Sequence, residues 1–263
     1  MSKSGEMAEL SRRGAVSLIS FHPASDGTIS NKGAAALVHM LQRELTDETV
    51  RAIVITGAHK GIFIRHANLS QIARAADAVA SGGADEDDFA ASPFPRLGAM
   101  LDAATKPVIA AINGDCMGGG FEIALACTMR VAAEDARAIG LPEIRIGIPP
   151  GSGGPQRLAR LIGRHRARLF TLEGVVLDAR CAYKLGLIEY LAQDAVAEAL
   201  ARAEALSARP SATVSEIMRQ MQAPDAAEIE DNIRGFARSI GQPATATALA
   251  EIAARGPKLE LLD

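Results

Sequence analysis

Residues Asn113–Glu122 read NGDCMGGGFE, a glycine-rich turn that leads directly into an acidic residue. Three consecutive glycines, Gly118–Gly120, let the backbone turn sharply and leave unpaired N–H groups at a helix start, where negative charge is favoured. Glu122 follows Gly119 by three residues and therefore lies on the same helical face. The segment predicts amide donors beside a carboxylate, as chemistry on a carbonyl requires. The structural alternative is a tight turn with close helix packing.

The setting of Glu122 predicts an unusual protonation state. Its neighbours Phe121 and Ile123 are apolar, so a desolvated carboxyl with a raised pKa is expected, and such a pKa suits a general acid or base near neutral pH. A second acid, Glu143, follows Pro142, which is typical of a helix start. Either acid alone is also explained by a favourable interaction with a helix dipole. Together the two acids indicate an enzyme.

Short runs rich in Val and Ile lie on both sides of the glycine turn and predict buried strands. The runs are Val16–Phe21, Val50–Thr56, Pro107–Ile112 and Arg130–Ala132. Lys32–Leu45 carries apolar residues at helical spacing, whereas Ser81–Asp88 combines turn residues with an acidic run and predicts a solvated loop. Because strands alternate with helices, the sequence predicts an α/β fold with a mostly parallel sheet.

From Pro155 onward the strand signals end and helical spacing dominates. The predicted helices are Gln156–Ile162, Arg164–Glu173, Ala179–Leu185, Asp194–Ala208, Thr213–Gln222, Ala226–Ser239 and Ala244–Ala254. We therefore expect an α/β core over residues 1–192 and a helical region over residues 193–263. That region is expected to pack on the core or on another subunit.

Composition excludes several classes of protein. The 263 residues are 48% hydrophobic, enough for one large domain or one domain with a small appendage. The net charge of −3 is well mixed and there is no basic stripe, so nucleic acid is not an expected partner. No apolar run is long and clean enough to span a membrane, and no secretion signal is evident at the amino terminus. Three cysteines without CxxC spacing fit a reducing cytoplasm.

The segment Gly57–Leu69 follows the second predicted strand, and α/β sheets bind ligands where parallel strands end. His66 in this segment is either catalytic or, as is commoner for a lone loop histidine, exposed or locally hydrogen-bonded, which is the interpretation we favour. The histidines lack metal-ligand spacing, so no metal site is expected. Ser152 lacks the GxSxG frame of a serine hydrolase, and the glycine triplet matches neither a phosphate loop nor a dinucleotide fingerprint.

Several motifs, taken in order, resemble the enoyl-CoA hydratase/isomerase (crotonase) family. They are Val50–Gly57, Lys106–Gly114, the glycine triplet with Glu122, Leu141–Glu143, Gly151–Leu158 and Ala182–Leu187, and the resemblance runs from about Val16 to Leu191. It implies a core of repeated ββα units with a carboxyl-terminal helical region for trimer assembly, often as a dimer of trimers. It also implies acyl-CoA thioester substrates, with coenzyme A as part of the substrate and no separate cofactor.

The resemblance also implies roles for individual residues. The backbone amides of Ala67 and Gly119 would bind the thioester oxygen, and Glu122 and Glu143 would hold and activate water. Substrate contacts are expected at Arg65, Asn68, Leu69 and Gly118.

Some positions depart from the family pattern. Arg65 and His66 stand where a small residue and a glycine are common, and Asn68 stands where aspartate is common. Arg65 is placed either to reach a CoA phosphate or to face water. One extra residue lies between the two glutamates, around residues 136–139, and the ending from Gly241 onward is atypical.

The leading hypothesis is a cytoplasmic enoyl-CoA hydratase that adds water across the 2,3-double bond of an acyl-CoA. Glu122 and Glu143 would move the protons of water while the two amides stabilise the enolate oxygen. The alternatives are double-bond isomerisation, hydrolysis or carbon–carbon cleavage of a CoA ester, and a non-catalytic acyl-CoA-binding protein. The acyl chain length does not follow from the residues.

Overall fold

A computed structural model describes residues 7–222 and 226–256, which contain ten strands and twelve α-helices. The strands are β1 (Met7–Arg13), β2 (Val16–His22), β3 (Ala52–Gly57), β4 (Gly61–Ile64), β5 (Val108–Ile112), β6 (Gly114–Met117), β7 (Met129–Ala133), β8 (Ile139–Gly140), β9 (Val176–Leu177) and β10 (Tyr190–Ala192). The helices are α1 (Asn31–Thr46), α2 (Leu69–Ala80), α3 (Glu86–Ala90), α4 (Pro93–Asp102), α5 (Gly119–Ala126), α6 (Gly154–Ile162), α7 (Arg164–Leu172), α8 (Ala179–Leu185), α9 (Ala195–Ser207), α10 (Ser211–Gln220), α11 (Ala226–Ile240) and α12 (Pro243–Arg255). A short 3₁₀ helix covers Glu143–Ile146.

The larger sheet has six strands in the order β1-β2-β3-β5-β7-β10. β1 runs antiparallel to β2, and every other neighbouring pair in this sheet is parallel. The expectation of an α/β fold with a mostly parallel sheet is therefore confirmed, and all four predicted strands lie in this sheet.

Both faces of the larger sheet are covered, as its apolar strands require. Along β3, Ile53 and Ile55 point into the main core cluster, whereas Val54 points to the opposite face. There it packs with Ala199 and Leu200 of α9. The first helix after residue 192 thus completes the second face of the sheet, while the proposed boundary between residues 192 and 193 stays a prediction.

The smaller sheet has the order β4-β6-β8-β9 and begins where strands of the larger sheet end. β3 is followed by β4 and α2, and β5 is followed by β6 and α5, which are two successive ββα units. Glycine is required at these corners, because a Cβ on Gly57 or Gly114 would clash with the backbone of residues 61–63. Since β4 and β6 pair in parallel, the starts of α2 and α5 lie side by side.

Two expectations about local structure are wrong in part. The chain after Pro155 is mostly helical as predicted, and each predicted helix has a counterpart, but it also contains β9 and β10. These strands have two and three residues, too few to show a periodic pattern. The predicted loop Ser81–Asp88 ends in α3, because the Asp85 and Asp88 side chains cap that helix reciprocally.

The atypical carboxyl-terminal segment forms α12, whose Leu249 packs in a cluster with Leu69 and Ala76 of α2. Residues 257–263 of that segment lie outside the described residues. Within the described ranges, no helix combines the length and the apolar character needed to cross a lipid bilayer.

Candidate active site

Glu122 lies in the first turn of α5, a helix in which every residue is buried. The turn before it uses the freedom of glycine, because Gly118 has φ +49° and a Cβ on Gly120 would clash with the Ile64 carbonyl. A Cβ on Gly119 would lie 2.8 Å from the Phe94 ring. Close helix packing and an acid in the first turn are therefore both present in this segment.

The carboxyl group of Glu122 is 4% exposed and is bound by backbone amides. Its Oε1 accepts hydrogen bonds of 2.8 Å from the N–H groups of Ser152 and Gly154. Burial raises the pKa of Glu122, while these amides and the nearby Arg157 guanidinium lower it. The apolar neighbours of Glu122 in the sequence predicted a raised pKa, and burial in the structure shifts the pKa in that direction.

The turn that carries these amides is held from two sides. From one side, Arg157 donates from Nη1 to the Ser152 carbonyl and pairs with Asp102 through Nη2 at 2.7 Å. From the other side, Asn232 of α11 accepts a 2.9 Å hydrogen bond from the Gly153 N–H and donates to the Pro150 carbonyl at 3.1 Å. These contacts fix the direction of the amides that bind Glu122.

Sequence reasoning assigned no role to Arg157 or Asn232. Arg157 lies within a motif that supported the family resemblance, and its place in that motif could have indicated a structural role. Asn232 follows its partners Gly153 and Pro150 by 79 and 82 residues in the chain, so no local pattern indicates it.

Glu143 begins the 3₁₀ helix rather than an α-helix, and it is 8% exposed. Among the described residues its Oε2 atom has no hydrogen-bond partner. Burial raises the pKa of Glu143 well above its ordinary value, and the charge of Glu122 raises it further. A Cβ on Gly118 would lie 3.1 Å from Glu143 Oε1, so a side chain at this position would crowd the carboxyl.

The Ala67 backbone lies in an isolated parallel bridge with Ile29. Ile29 donates to the His66 carbonyl at 3.0 Å and accepts from the Asn68 N–H at 2.8 Å. Because peptide groups alternate in direction along an extended chain, the N–H of Ala67 points away from Ile29. Gly119 is adjacent, since a Cβ on it would lie 3.3 Å from the Ala67 Cβ. Its N–H belongs to the first turn of α5 and has no acceptor within that helix.

One cavity collects these groups. Ala67, Gly118, Gly119, Glu122 and Glu143 all line it, and its volume is about 100 Å³. The structure therefore brings together both predicted acids and both predicted amide donors. Asn68 and Leu69, two of the predicted substrate contacts, also line this cavity.

Arg65 does not belong to the cavity lining. Its guanidinium pairs with Asp115 at 3.2 Å and donates to the Asp26 carbonyl at 2.8 Å. Because Arg65 is half-buried in this ion pair, it does not simply face water. The predicted substrate contact of Arg65 stays a prediction.

His66 and Asn68 both make local hydrogen bonds. The Nδ1 atom of His66 lies 2.9 Å from the Ala67 carbonyl, which accepts this bond when Nδ1 carries the proton. The expected local hydrogen bond of His66 is thus present, but the side chain is 2% exposed and lines the cavity, so solvent exposure is wrong. Asn68 caps α2 by accepting from the Gln71 N–H at 3.0 Å.

Comparison with known proteins supports the family resemblance found in the sequence motifs. The family model described as "Enoyl-CoA hydratase/isomerase" matches residues 11–242. The chain is 39% identical over 188 residues to the 2,3-dehydroadipyl-CoA hydratase of Escherichia coli (strain K12), covering 69% of this chain and 68% of that protein. It is 36% identical over 198 residues to YngF of Bacillus subtilis (strain 168), named as an enoyl-CoA hydratase/isomerase, covering 75% and 72% of the two chains.

A solved structure extends the likeness to the fold. The carnitinyl-CoA hydratase of Mycobacterium avium superimposes with a TM-score of 0.78 at 28% identity, covering 94% of this chain and 95% of the other. The crotonase-like fold inferred from the sequence motifs is confirmed. This chain belongs to the enoyl-CoA hydratase/isomerase family, whose members act on acyl-CoA.

Proposed function

We propose that this protein is an enoyl-CoA hydratase that adds water across the 2,3-double bond of an acyl-CoA thioester. The observation that carries the proposal is the unequal pair of buried acids on one cavity. Glu122 is bound by two backbone amides, whereas Glu143 keeps one oxygen without a hydrogen-bond partner among the described residues. Hydration needs two such groups, because one must take a proton from water and the other must give a proton to carbon.

The surroundings assign the two roles. Burial raises the pKa of Glu122, but the amide donors and Arg157 oppose this rise, whereas the pKa of Glu143 is raised well above its ordinary value. Glu122 is therefore the acid of the pair that ionises first, and it serves as the base that removes a proton from water as the water oxygen bonds to C3. Burial and the Glu122 charge raise the pKa of Glu143 and favour its protonated form, so Glu143 donates its proton to C2. The cycle leaves one proton more on Glu122 and one fewer on Glu143, and exchange with solvent restores both. Each of these acid–base groups is expected to raise the reaction rate by a factor on the order of 10² to 10⁴.

The amides of Ala67 and Gly119 would stabilise the negative charge that builds on the thioester oxygen while water adds. Their adjacency in the cavity and the outward direction of the Ala67 N–H support this part of the proposal. Each well-aimed donor to such an oxyanion contributes about 3 kcal/mol to transition-state stabilisation. The proposed reaction uses the coenzyme A of its substrate and no separate cofactor.

The test is the loss of conjugated enoyl absorbance when a short 2-enoyl-CoA is added to the purified protein. Glu122→Gln and Glu143→Gln are expected to lower kcat by about 10² or more. Glu44→Gln is the matched control, because Glu44 is also fully buried but binds Ser17 and Arg12 at the edge of the larger sheet. Absence of hydration in the wild type, or equal losses in all three variants, would refute the proposal.

Double-bond isomerisation is the second candidate, favoured by the Glu143 oxygen that has no hydrogen-bond partner among the described residues and that accepts a proton when the group is ionised. A single acid of this kind can remove a proton from one carbon and return it to another. Product mass separates the two reactions, because hydration adds one water and isomerisation leaves the mass unchanged. The same measurement would reveal hydrolysis or carbon–carbon cleavage, and acyl-CoA binding without turnover would indicate a binding protein.

We also propose that the protein assembles as a homotrimer or a dimer of trimers and works in the cytoplasm. Leu161, Leu169 and Leu172 on α6 and α7 are exposed, and large apolar side chains that group on a surface are typical of interfaces. Light scattering after size-exclusion chromatography measures the assembly directly. A monomer that hydrates enoyl-CoA would refute the oligomer without affecting the proposed reaction.

A further inference from the structure

The cavity contains a group of apolar residues that none of the proposed catalytic steps uses. They come from α2, α3, the 3₁₀ helix with the segment that follows it, and α11, namely Ile72, Ala75, Phe89, Ile146, Ile148 and Phe236. Phe236 is 5% exposed and Ile148 is 1% exposed, whereas Asn31 on the same cavity is exposed to solvent. The cavity therefore has a buried apolar part and a polar part open to water.

Phe89 and Phe236 contact each other across this apolar part. Their ring centroids are 4.9 Å apart at an interplanar angle of 36°. Phe236 also lies against the turn that binds Glu122, because a Cβ on Gly151 would lie 2.6 Å from the Phe236 ring. The aromatic pair thus stands beside the acid that we propose as the base.

Two ion pairs on the protein surface join the helices that carry this aromatic pair. Arg234 of α11 pairs with Asp87 of α3, and Arg238 pairs with Glu86 at 2.6 Å. A single exposed ion pair contributes little to stability. Here two such pairs join the same two helices beside the contact between Phe89 and Phe236, and they add modestly to the packing of the two rings.

The volume of the whole cavity, with its polar part included, limits what fits between the catalytic groups and the two rings. An apolar cavity of about 150 Å³ holds one benzene molecule, and the cavity here measures about 100 Å³. By proportion, that volume accommodates roughly four carbon atoms. Cavities that bury drug-sized ligands have about 300 to 1,000 Å³.

We propose that the acyl group of the substrate is short and apolar, with about four carbon atoms, and that Phe89 and Phe236 set the upper limit. The inference rests on the proposed function in one respect, that the ligand is an acyl-CoA. A longer chain meets the two rings, of which Phe236 lies against the turn at Gly151 and Phe89 belongs to α3. Removing either ring opens space that additional methylene groups can fill.

The test measures binding of saturated acyl-CoA, which cannot be hydrated, by calorimetry with the full-length protein. Wild type is expected to bind butyryl-CoA about tenfold more tightly than decanoyl-CoA, and Phe89→Ala and Phe236→Ala are expected to reverse this preference. Phe89→Leu, at a half-buried position, gives a milder change in case an alanine variant does not fold. Phe170→Ala is the matched control, because Phe170 is 4% exposed in the core and does not line the cavity.

Tighter binding of decanoyl-CoA by wild type would overturn the inference. The inference would also be overturned if the variants at Phe89 and Phe236 kept the wild-type ratio of the dissociation constants for butyryl-CoA and decanoyl-CoA, as Phe170→Ala is expected to do. Hydration of four-carbon and ten-carbon 2-enoyl-CoA separates the two proposals. Hydration of both at equal kcat/KM refutes the chain-length limit alone, whereas the expected binding preference without hydration supports the limit and refutes the reaction.

Discussion

The amide of Gly154 donates a 2.8 Å hydrogen bond to Glu122 Oε1, and a Cβ on Gly154 would lie 2.8 Å from that same oxygen. The position therefore has to supply an N–H group and leave the space above it empty. Glycine is the residue that satisfies both conditions, because any side chain would occupy the place of the carboxyl that the amide binds.

Gly154→Ala is expected to displace the Glu122 carboxyl and to lower kcat by about 10² for a displacement of about 1 Å. Gly235→Ala is the control, since Gly235 lies inside α11 and its nearest contact is the end of the Arg238 side chain at 3.5 Å. This control is expected to keep full activity and to gain about 0.5 to 1 kcal/mol of stability. Steady-state kinetics and urea unfolding of both variants check the prediction, and full activity of Gly154→Ala would contradict it.

Glu143 is expected to make stability fall as pH rises. Its pKa in the folded protein is raised well above the ordinary value of 4.5, so the folded state keeps a proton that the unfolded chain loses. The resulting loss in the free energy of unfolding is absent below pH 4.5, grows above that pH and is complete above the pKa of Glu143 in the folded protein. Thermal unfolding of wild type and Glu143→Gln between pH 4 and pH 9 tests this, and the variant is expected to be relatively more stable only at the higher pH values. A constant difference would contradict it.

The same raised pKa predicts the alkaline side of the rate profile. If Glu143 donates a proton to C2, kcat falls once Glu143 ionises, and it falls at a higher pH than for an ordinary glutamate. A profile of kcat against pH with the wild type measures this side directly. Constant activity across the range in which Glu143 titrates would argue against its role as the acid.

Asn232 is expected to act as a positioning residue for Glu122. Asn232→Ala removes the hydrogen bonds with Gly153 and Pro150, so the turn loosens, the amide bonds to Glu122 weaken and its pKa rises further. The acid side of the kcat profile is expected to move to higher pH, with a loss of about tenfold in rate. Asn232→Asp keeps the acceptor for Gly153 and is expected to recover part of the rate. Ser239→Ala, on the same helix but away from the turn, is the control, and equal profiles for Asn232→Ala and Ser239→Ala would refute the role.

Arg157 is expected to matter for stability as well as for the turn. The side chain is 2% exposed and pairs with Asp102, so Asp102→Ala leaves a buried guanidinium without this partner. Removing one member of a buried pair costs about 3 to 5 kcal/mol. Urea unfolding is expected to show this loss, whereas Glu216→Ala, which removes an exposed pair with Arg219, is expected to cost less than about 1 kcal/mol. Similar costs for both variants would contradict the prediction.

Much of the fold followed from local patterns in the chain. Val50–Thr56 and Pro107–Ile112 are rich in apolar residues, and they became the central parallel strands β3 and β5. The glycine triplet and Glu122 were recognisable because turn geometry and helix spacing depend on residues that are close in the chain. The raised pKa of Glu122 was predictable for the same reason, since its apolar neighbours already implied burial.

The finished site depends on contacts between distant residues. Strands β8 and β9 have two residues each and no periodic pattern, so their places come from pairing and not from propensity. Phe236 reaches the cavity and Asn232 reaches the turn at Gly151–Gly154 only because α11 packs over that turn. Arg65 meets Asp115 only because β4 pairs with β6. Local sequence specifies elements and their apolar faces, whereas burial energy summed over the whole chain determines which faces meet.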